Sequence, residues 1–224
     1  MRFCAASDQS LLLYFEQEKL LEAHRRVASL VRGLEQFPVP GVRNVHPAFR
    51  SVLVKFDAVA RTHAEIEAEL RERLRDVEED GEHVTRLIEI PVCYGGEFGP
   101  DLEEVARLHA MTEQEVMERH AAREYVVFFL GFVPGFAYLG EVPKELSTPR
   151  LPAPRKAVPP GSVAIAGRQT GVYPLLTPGG WRLLGRTPIK MFDTNRVVMS
   201  RLRLGDRVKF VPIPHERFAQ LGRP

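Results

Sequence analysis

Cysteine is scarce: the 224 residues hold two, Cys4 and Cys93, far apart and with no CxxC pair. That argues against a disulfide scaffold and a thiol-rich metal site, and both cysteines read as reduced thiols of a cytoplasmic protein. No GxxxxGK followed by Ser or Thr occurs, so no phosphate loop of the Walker kind is expected. No GxGxxG stands at a strand–helix junction, and GxSxG is missing too. The seven histidines (His24, His46, His63, His83, His109, His120 and His215) form no HExxH or other metal pair on one helical face. No intrinsic metal is expected. The opening MRFCAASDQS lacks an apolar signal core, and no apolar run approaches the roughly 20 residues that cross a bilayer. The net charge of +2 gives no global field toward nucleic acid or membrane.

One local absence says more. From Leu146 to Phe192 there is no Asp or Glu, while Arg150, Arg155, Lys156, Arg168, Arg182, Arg186 and Lys190 all fall inside. Residues 57–124 are the reverse, with 19 acidic against 8 basic residues. These are either two solvated faces of opposite sign or a solvated face and an anion site.

The chain length suits one large domain or two small ones. Leu11 to Phe15 reads as a strand. Leu20, Ala23, Val27, Leu30, Val31 and Leu34 then recur at helical spacing. Val42–Val45 and Val52–Phe56 read as extended pieces. Thr62-His63-Ala64-Glu65 is a capping box that opens a helix striped with Ile66, Leu70, Leu74 and Val77, with Asp80-Gly81 as its stop. Leu87–Val92 is a further strand. The order β-α-β-β-α-β predicts a ferredoxin-like α/β domain over 1–90.

From 91 to 224 the pattern changes. Two short helices are expected, near Asp101–Leu108 and from the Thr112 capping box to His120. Tyr125–Phe132 is a buried strand. Short strands follow near Ser162–Ala166, Gly171–Tyr173, Trp181–Gly185, Val197–Met199 and Arg207–Val211, which predicts an all-β barrel or sandwich. The fold class is therefore α+β.

Candidate chemistry concentrates in the Gly- and Pro-rich stretches. Val133-Pro134-Gly135, Pro159-Pro160-Gly161-Ser162 and Thr177-Pro178-Gly179-Gly180 are turns whose amides can form an anion nest, or equally barrel corners. Arg155, Lys156 and Arg168 supply charge, and Arg can grip a carboxylate or phosphate with two parallel bonds. Gln169, Thr170 and Tyr173 flank Gly171 and suit an amide-bearing substrate, or a tight exposed turn. Phe132, Phe136, Tyr138 and Trp181 line a pocket or belong to the core. His120 closes a helix, as a cap or as a proton carrier. Arg155, Gln169 and His120 are the catalytic candidates.

The segments IPVCYGGE (90–97), GPDLEEV (99–105), GFVPGFAYLG (131–140), RKAVPPGSVAIAGRQTGVY (155–173) and PGGWRLLGRTP (178–188) resemble the KipI family, of the carboxyltransferase subdomain C and D type. That family includes the B component of bacterial ATP-dependent 5-oxoprolinase and proteins called allophanate hydrolase subunit 1. The resemblance runs over nearly the whole chain. It implies a cyclophilin-like β-barrel after the first domain, and a subunit inactive alone. It implies two partners: an allophanate hydrolase subunit 2-like protein (the C component of 5-oxoprolinase) and a LamB/YcsF-like protein (the A component). It implies ATP with magnesium bound within that complex, and a small-molecule lactam as substrate. Inhibition of a histidine kinase, or a part in urea carboxylation, is the alternative that the same resemblance leaves open.

Overall fold

The computed structural model describes residues 1–16, 19–78 and 85–222. Two compact units divide at Val84/Thr85.

The first unit is a four-stranded antiparallel sheet with two helices. Its strands are β1 (Arg2–Ser7), β2 (Ser10–Tyr14), β3 (Val42–Pro47) and β4 (Ser51–Phe56), in the order β1-β2-β4-β3. Alternation fixes which face is covered: Leu11 and Leu13 stand opposite Val54 and Val52, and all four are buried. Helix α1 (Leu20–Gln36) buries Ala23, Val27, Leu30, Val31 and Leu34. Helix α2 (His63–Glu78) buries Ile66, Leu70 and Leu74. The Val77 side chain and the Asp80-Gly81 stop lie outside the described residues.

The ferredoxin-like expectation is corrected in two places. It lacks β1, because an edge strand buries little and RFCAAS shows no apolar alternation. Its closing strand belongs elsewhere: β5 (Leu87–Tyr94) lies in the second unit, in parallel register with β13 (Arg207–Pro212) from Leu87↔Arg207 to Val92↔Pro212. The first unit is thus hairpin, helix, hairpin, helix. An apolar strand announces that it is buried but not which sheet it joins. Here the register is held by a partner 120 positions away, Arg86 donating from Nε to Asp206 Oδ1 at 2.9 Å.

The second unit is a closed seven-stranded barrel. It uses β5, β6 (Glu124–Leu130), β7 (Ala137–Leu139), β9 (Ser162–Ala166), β10 (Gln169–Val172), β12 (Arg182–Arg186) and β13, in the order β10-β7-β6-β13-β5-β12-β9. All seven strands contribute to one buried cluster, including Ile90, Val127, Leu139, Val163, Ile165, Val172, Leu184 and Phe210, which fills the lumen. Helices α3 (Leu102–Leu108) and α4 (Glu113–Ala121) add Val105 and Val116 to that core, α4 starting at the Thr112 capping box as expected. A two-stranded ribbon, β8 (Arg155–Val158) with β11 (Thr177–Gly179), lies outside the barrel ladder. Helix α5 (His215–Leu221) follows β13. The expected strand at Val197–Met199 is not formed; those residues sit in an exposed loop. Cys4 and Cys93 are free thiols.

Candidate functional site

On β9 and β10 the side chains that do not enter the lumen share one outer face. Val163, Ile165 and Val172 point inward, so Ala164, Ala166, Gln169, Gly171 and Tyr173 point outward. Ala164 and Ala166 join Phe136, Val158, Tyr173, Trp181 and Leu183 in a second buried cluster, with Val133 and Tyr138 packed against it. Strand β9 is therefore covered on both sides, which explains its unbroken apolar sequence.

Aromatic rings build this face edge to face. Phe136 meets Tyr138, Tyr173 and Trp181 at centroid distances of 5.0, 5.3 and 5.5 Å, each near perpendicular. Tyr138 stacks on Phe129 at 4.4 Å. Two glycines make room. A β-carbon at Gly171 would stand 3.1 Å from the Phe136 ring and 3.3 Å from Trp181, and one at Gly179 would stand 2.4 Å from the Tyr173 hydroxyl oxygen. Tyr173 is buried to 2% exposure, and burial pushes its phenol pKa up against a bond from the Trp181 amide and the fields of Arg150 and Arg155.

Arg155, opposite Gly179 across the ribbon, brings a cation to this edge. Its Nη2 donates to Asp101 Oδ1 at 2.6 Å, and its buried Nη1 has no partner among the described residues. Asp101 in turn accepts the Leu183 amide on Oδ2 at 2.7 Å. Nearby, Arg182 is buried, pairs with Glu104 and reaches the Pro149 carbonyl at 3.4 Å. Sequence reasoning does not single out Asp101 and Glu104 as functional residues. Their one signal is an acidic run, Asp101-Leu102-Glu103-Glu104, upstream of a basic span with no acids of its own.

The structure brings together Tyr173, Gly179, Tyr138, Phe136 and Trp181, with Arg155 opposite Gly179 on the ribbon, Gln169 opposite Ala166 on the same outer face of β10, and Phe132 at the margin, its ring perpendicular to Phe136 at 5.6 Å. It leaves others outside. Lys156 is exposed, and Arg168 is an exposed turn residue paired with Glu141 at 2.9 Å. Thr170 faces the lumen. Two of the anion-nest turns spend amides within the chain, as corner turns do: Gly161 on the Tyr173 carbonyl, Ser162 on Pro159, and Val133 on Gly131, with the following Phe136 on Val133. Gly135 is needed for contact, since a β-carbon there would stand 2.7 Å from Phe192. Pro134 is exposed on the same turn, and Gly180 accepts the Leu151 amide.

His120 is placed in the core, not at an open helix end, and it reaches the lumen face of β10 while Gln169 lies on the outer face. It is fully buried and stacks on Phe210 at 4.7 Å. Thr170 Oγ1 donates to the Ala164 carbonyl at 3.0 Å, so it accepts from His120 Nε2 at 2.8 Å; Nδ1 then accepts from the Tyr94 hydroxyl at 2.8 Å. Burial holds the imidazole neutral, with a pKa of about 3. This chain is a fully satisfied core network, closed by Tyr125 donating to the His120 carbonyl.

The barrel with its covered outer face places the protein in the class of carboxyltransferase-type modules. The chain belongs to the family described as carboxyltransferase domain, subdomain C and D, which matches residues 1–202. It is 41% identical over 221 residues to the 5-oxoprolinase B component of Bacillus subtilis (strain 168), covering 94% of this chain and 92% of that one. It is 43% identical over 211 residues to the 5-oxoprolinase B component of Escherichia coli O157:H7, covering 92% and 93%. Among solved structures, TTHA0988 superposes with a TM-score of 0.80 at 36% identity over 92% of this chain, which spans 40% of the TTHA0988 chain. Kluyveromyces lactis urea carboxylase shares the fold, with a TM-score of 0.77 at 19% identity over 97% of this chain and 22% of that one.

Proposed function

We propose that this chain is a non-autonomous part of an ATP-dependent 5-oxoprolinase, acting in the cytoplasm with an allophanate hydrolase subunit 2-like chain and a LamB/YcsF-like chain. The complex opens 5-oxo-L-proline to L-glutamate. One observation carries the reading: the chain matches 5-oxoprolinase B components almost end to end, and its barrel keeps Tyr173 in an aromatic cluster with Gln169 on the same outer strand face.

A lactam carbonyl is a weak electrophile because the nitrogen lone pair is delocalised into it. Transfer of the ATP γ-phosphoryl to the lactam oxygen breaks the bond to ADP and activates the carbon. Water then adds, the C–N bond breaks to give an acyl phosphate and a free amine, and a second water releases phosphate. The residues have matching roles. Gln169 carries one amide donor set and one acceptor, complementary to the lactam N–H and C=O. The half-buried ring of Tyr138, backed by the buried rings of Phe136 and Trp181, suits the flat ring of the substrate. Arg155 holds a free buried donor for a carboxylate or a transferring phosphoryl. Magnesium would arrive with the nucleotide, bridging its phosphates.

The test is ADP formation dependent on 5-oxoproline, measured with this chain alone, with each partner, and with both. Activity in the full mixture only, cut about 100-fold or more by Gln169→Ala, is expected. Turnover by the isolated chain, or none in a soluble three-chain complex, overturns the reading; the second result points to kinase inhibition or urea carboxylation instead. Trp181, the single tryptophan, gives a direct binding signal by its fluorescence.

A further inference from the structure

Val197, Val198 and Met199 have the composition of a strand but build none, and they bury little. Their exposures are 102, 47 and 49%. The loop that carries them is nevertheless ordered by its own bonds: the Asp193 amide donates to the Met199 carbonyl at 2.8 Å, Phe192 bridges Ser200, and the Asn195 amide donates to Asp193 Oδ1 at 3.1 Å. The apolar triplet is held out from the barrel by a closed base.

A second loop abuts this one. Gly135 packs so closely on Phe192 that no side chain would fit between them. That turn lifts Phe132 to 59% exposure. It does so with strain: Phe132 has φ +69° and lies between Gly131 and Val133, whose amide closes back on the Gly131 carbonyl at 2.9 Å. This is a γ-turn on the left-handed side, which a bulky L residue adopts only at a cost. Two adjoining loops thus display four large apolar side chains. A patch of that make-up marks a contact surface.

The rim has one sign. Lys190 pairs with Asp193 at 3.7 Å, which neutralises both. Arg196 and Arg201 have no carboxylate partner among the described residues, and burial followed by the neighbouring charge of Arg196 lowers the Arg201 pKa. Phe, Met and Arg are the residue types enriched at the centres of protein interfaces.

We propose that the loops 131–135 and 193–199 form the docking surface for a second, different protein chain that presents an apolar hollow rimmed by carboxylates. A different chain fits better than a second copy, because two basic rims facing each other across a symmetric contact repel. The matched TTHA0988 chain also continues well beyond the part that this protein covers, so a module of this fold occurs there joined to further protein. The inference rests on the reading of this chain as part of a larger complex, and the occupant is the allophanate hydrolase subunit 2-like chain of that complex.

The experiment is affinity measurement by calorimetry between the full chain and that partner chain, at about 0.1 and 1 M salt. Val197→Asp with Met199→Asp is expected to weaken binding at least 100-fold while leaving circular dichroism and the melting temperature unchanged, since both side chains are exposed. Arg196→Glu is expected to weaken it about tenfold and to flatten the salt dependence. Wild-type affinity in the double variant overturns the surface and leaves the proposed membership of the complex intact. Failure of the wild-type chain to bind the partner at all overturns both. A wild-type dimer in sedimentation that the double variant splits assigns the patch to self-association. Co-sedimentation with phosphatidylserine vesicles that the double variant abolishes assigns it to a membrane surface. Either result also overturns the proposal.

Discussion

Arg155 and Asp101 meet at 2.6 Å across 54 positions of sequence, and the second oxygen of the same carboxylate accepts the Leu183 amide. One buried acid therefore ties the ribbon to the barrel wall beside β12. It also changes the meaning of the acid-free span. Arg155, Arg168 and Arg182 are answered by Asp101, Glu141 and Glu104, all from outside that span. Of these three, only Arg155 keeps a buried donor, Nη1, that no described residue takes up.

Asp101→Asn keeps the shape and removes the charge. The Arg155 bond weakens, and one amide hydrogen points at a donor. A loss of about 1.5–3 kcal/mol is expected, read as a lower urea midpoint with unchanged slope. In the assembled complex, Arg155→Lys should keep the stability of the ribbon better than Arg155→Ala but recover little turnover, because a single ammonium cannot serve Asp101 and a substrate at once.

His120 predicts a pH dependence. Its folded pKa is about 3, well below the 6.5 of an unfolded histidine. The unfolded chain thus binds the extra proton, and stability is complete above about pH 6.5 and falls as pH drops toward 3. Between pH 6.5 and 5 the loss from this residue is about 2 kcal/mol. His24, with a folded pKa of about 4, acts with the same sign in the first unit. Unfolding followed through Trp181 reports the barrel, and His120→Gln should flatten that profile.

Gly179→Ala drives a methyl group into the Tyr173 hydroxyl. The expected cost is about 1–3 kcal/mol, with a shifted Trp181 emission. Adding Tyr173→Phe should restore part of it, since the nearest clashing atom is then gone. Strict additivity of the two changes would contradict this packing.

Phe132 reverses an ordinary ranking. At most sites Ala is more stable than Gly, but at φ +69° Gly is favoured by about 1–2 kcal/mol. Phe132→Gly should therefore melt above Phe132→Ala. A lower melting point for the Gly variant would mean that the turn is not strained.

Much of this fold is legible in the chain. The stripes of α1 and α2, the Thr112 capping box and the run at Tyr125 all report local burial, and local burial is what periodicity encodes. What stays hidden is non-local. Nothing within Leu87–Val92 says that its neighbour is Arg207–Pro212, and nothing in Arg2–Ser7 offers the alternation of a buried strand. The site divides in the same way. The aromatic face and Gln169 stand out as polar and ring residues around a glycine. His120 misleads because its helix-end position suggests solvent, whereas its partners Tyr94 and Thr170 lie 26 and 50 positions away.

The parallel pairing of β5 with β13 also sets a timetable. The barrel cannot close until Arg207–Pro212 has been made, because β13 stands between β5 and β6 in the ring. On the ribosome the first unit has all its strands long before that, so it can fold while β5 and β6 still wait with an open edge. The half-made second unit is then the aggregation-prone species, and its exposure lasts for the time taken to translate from Leu87 to Pro212.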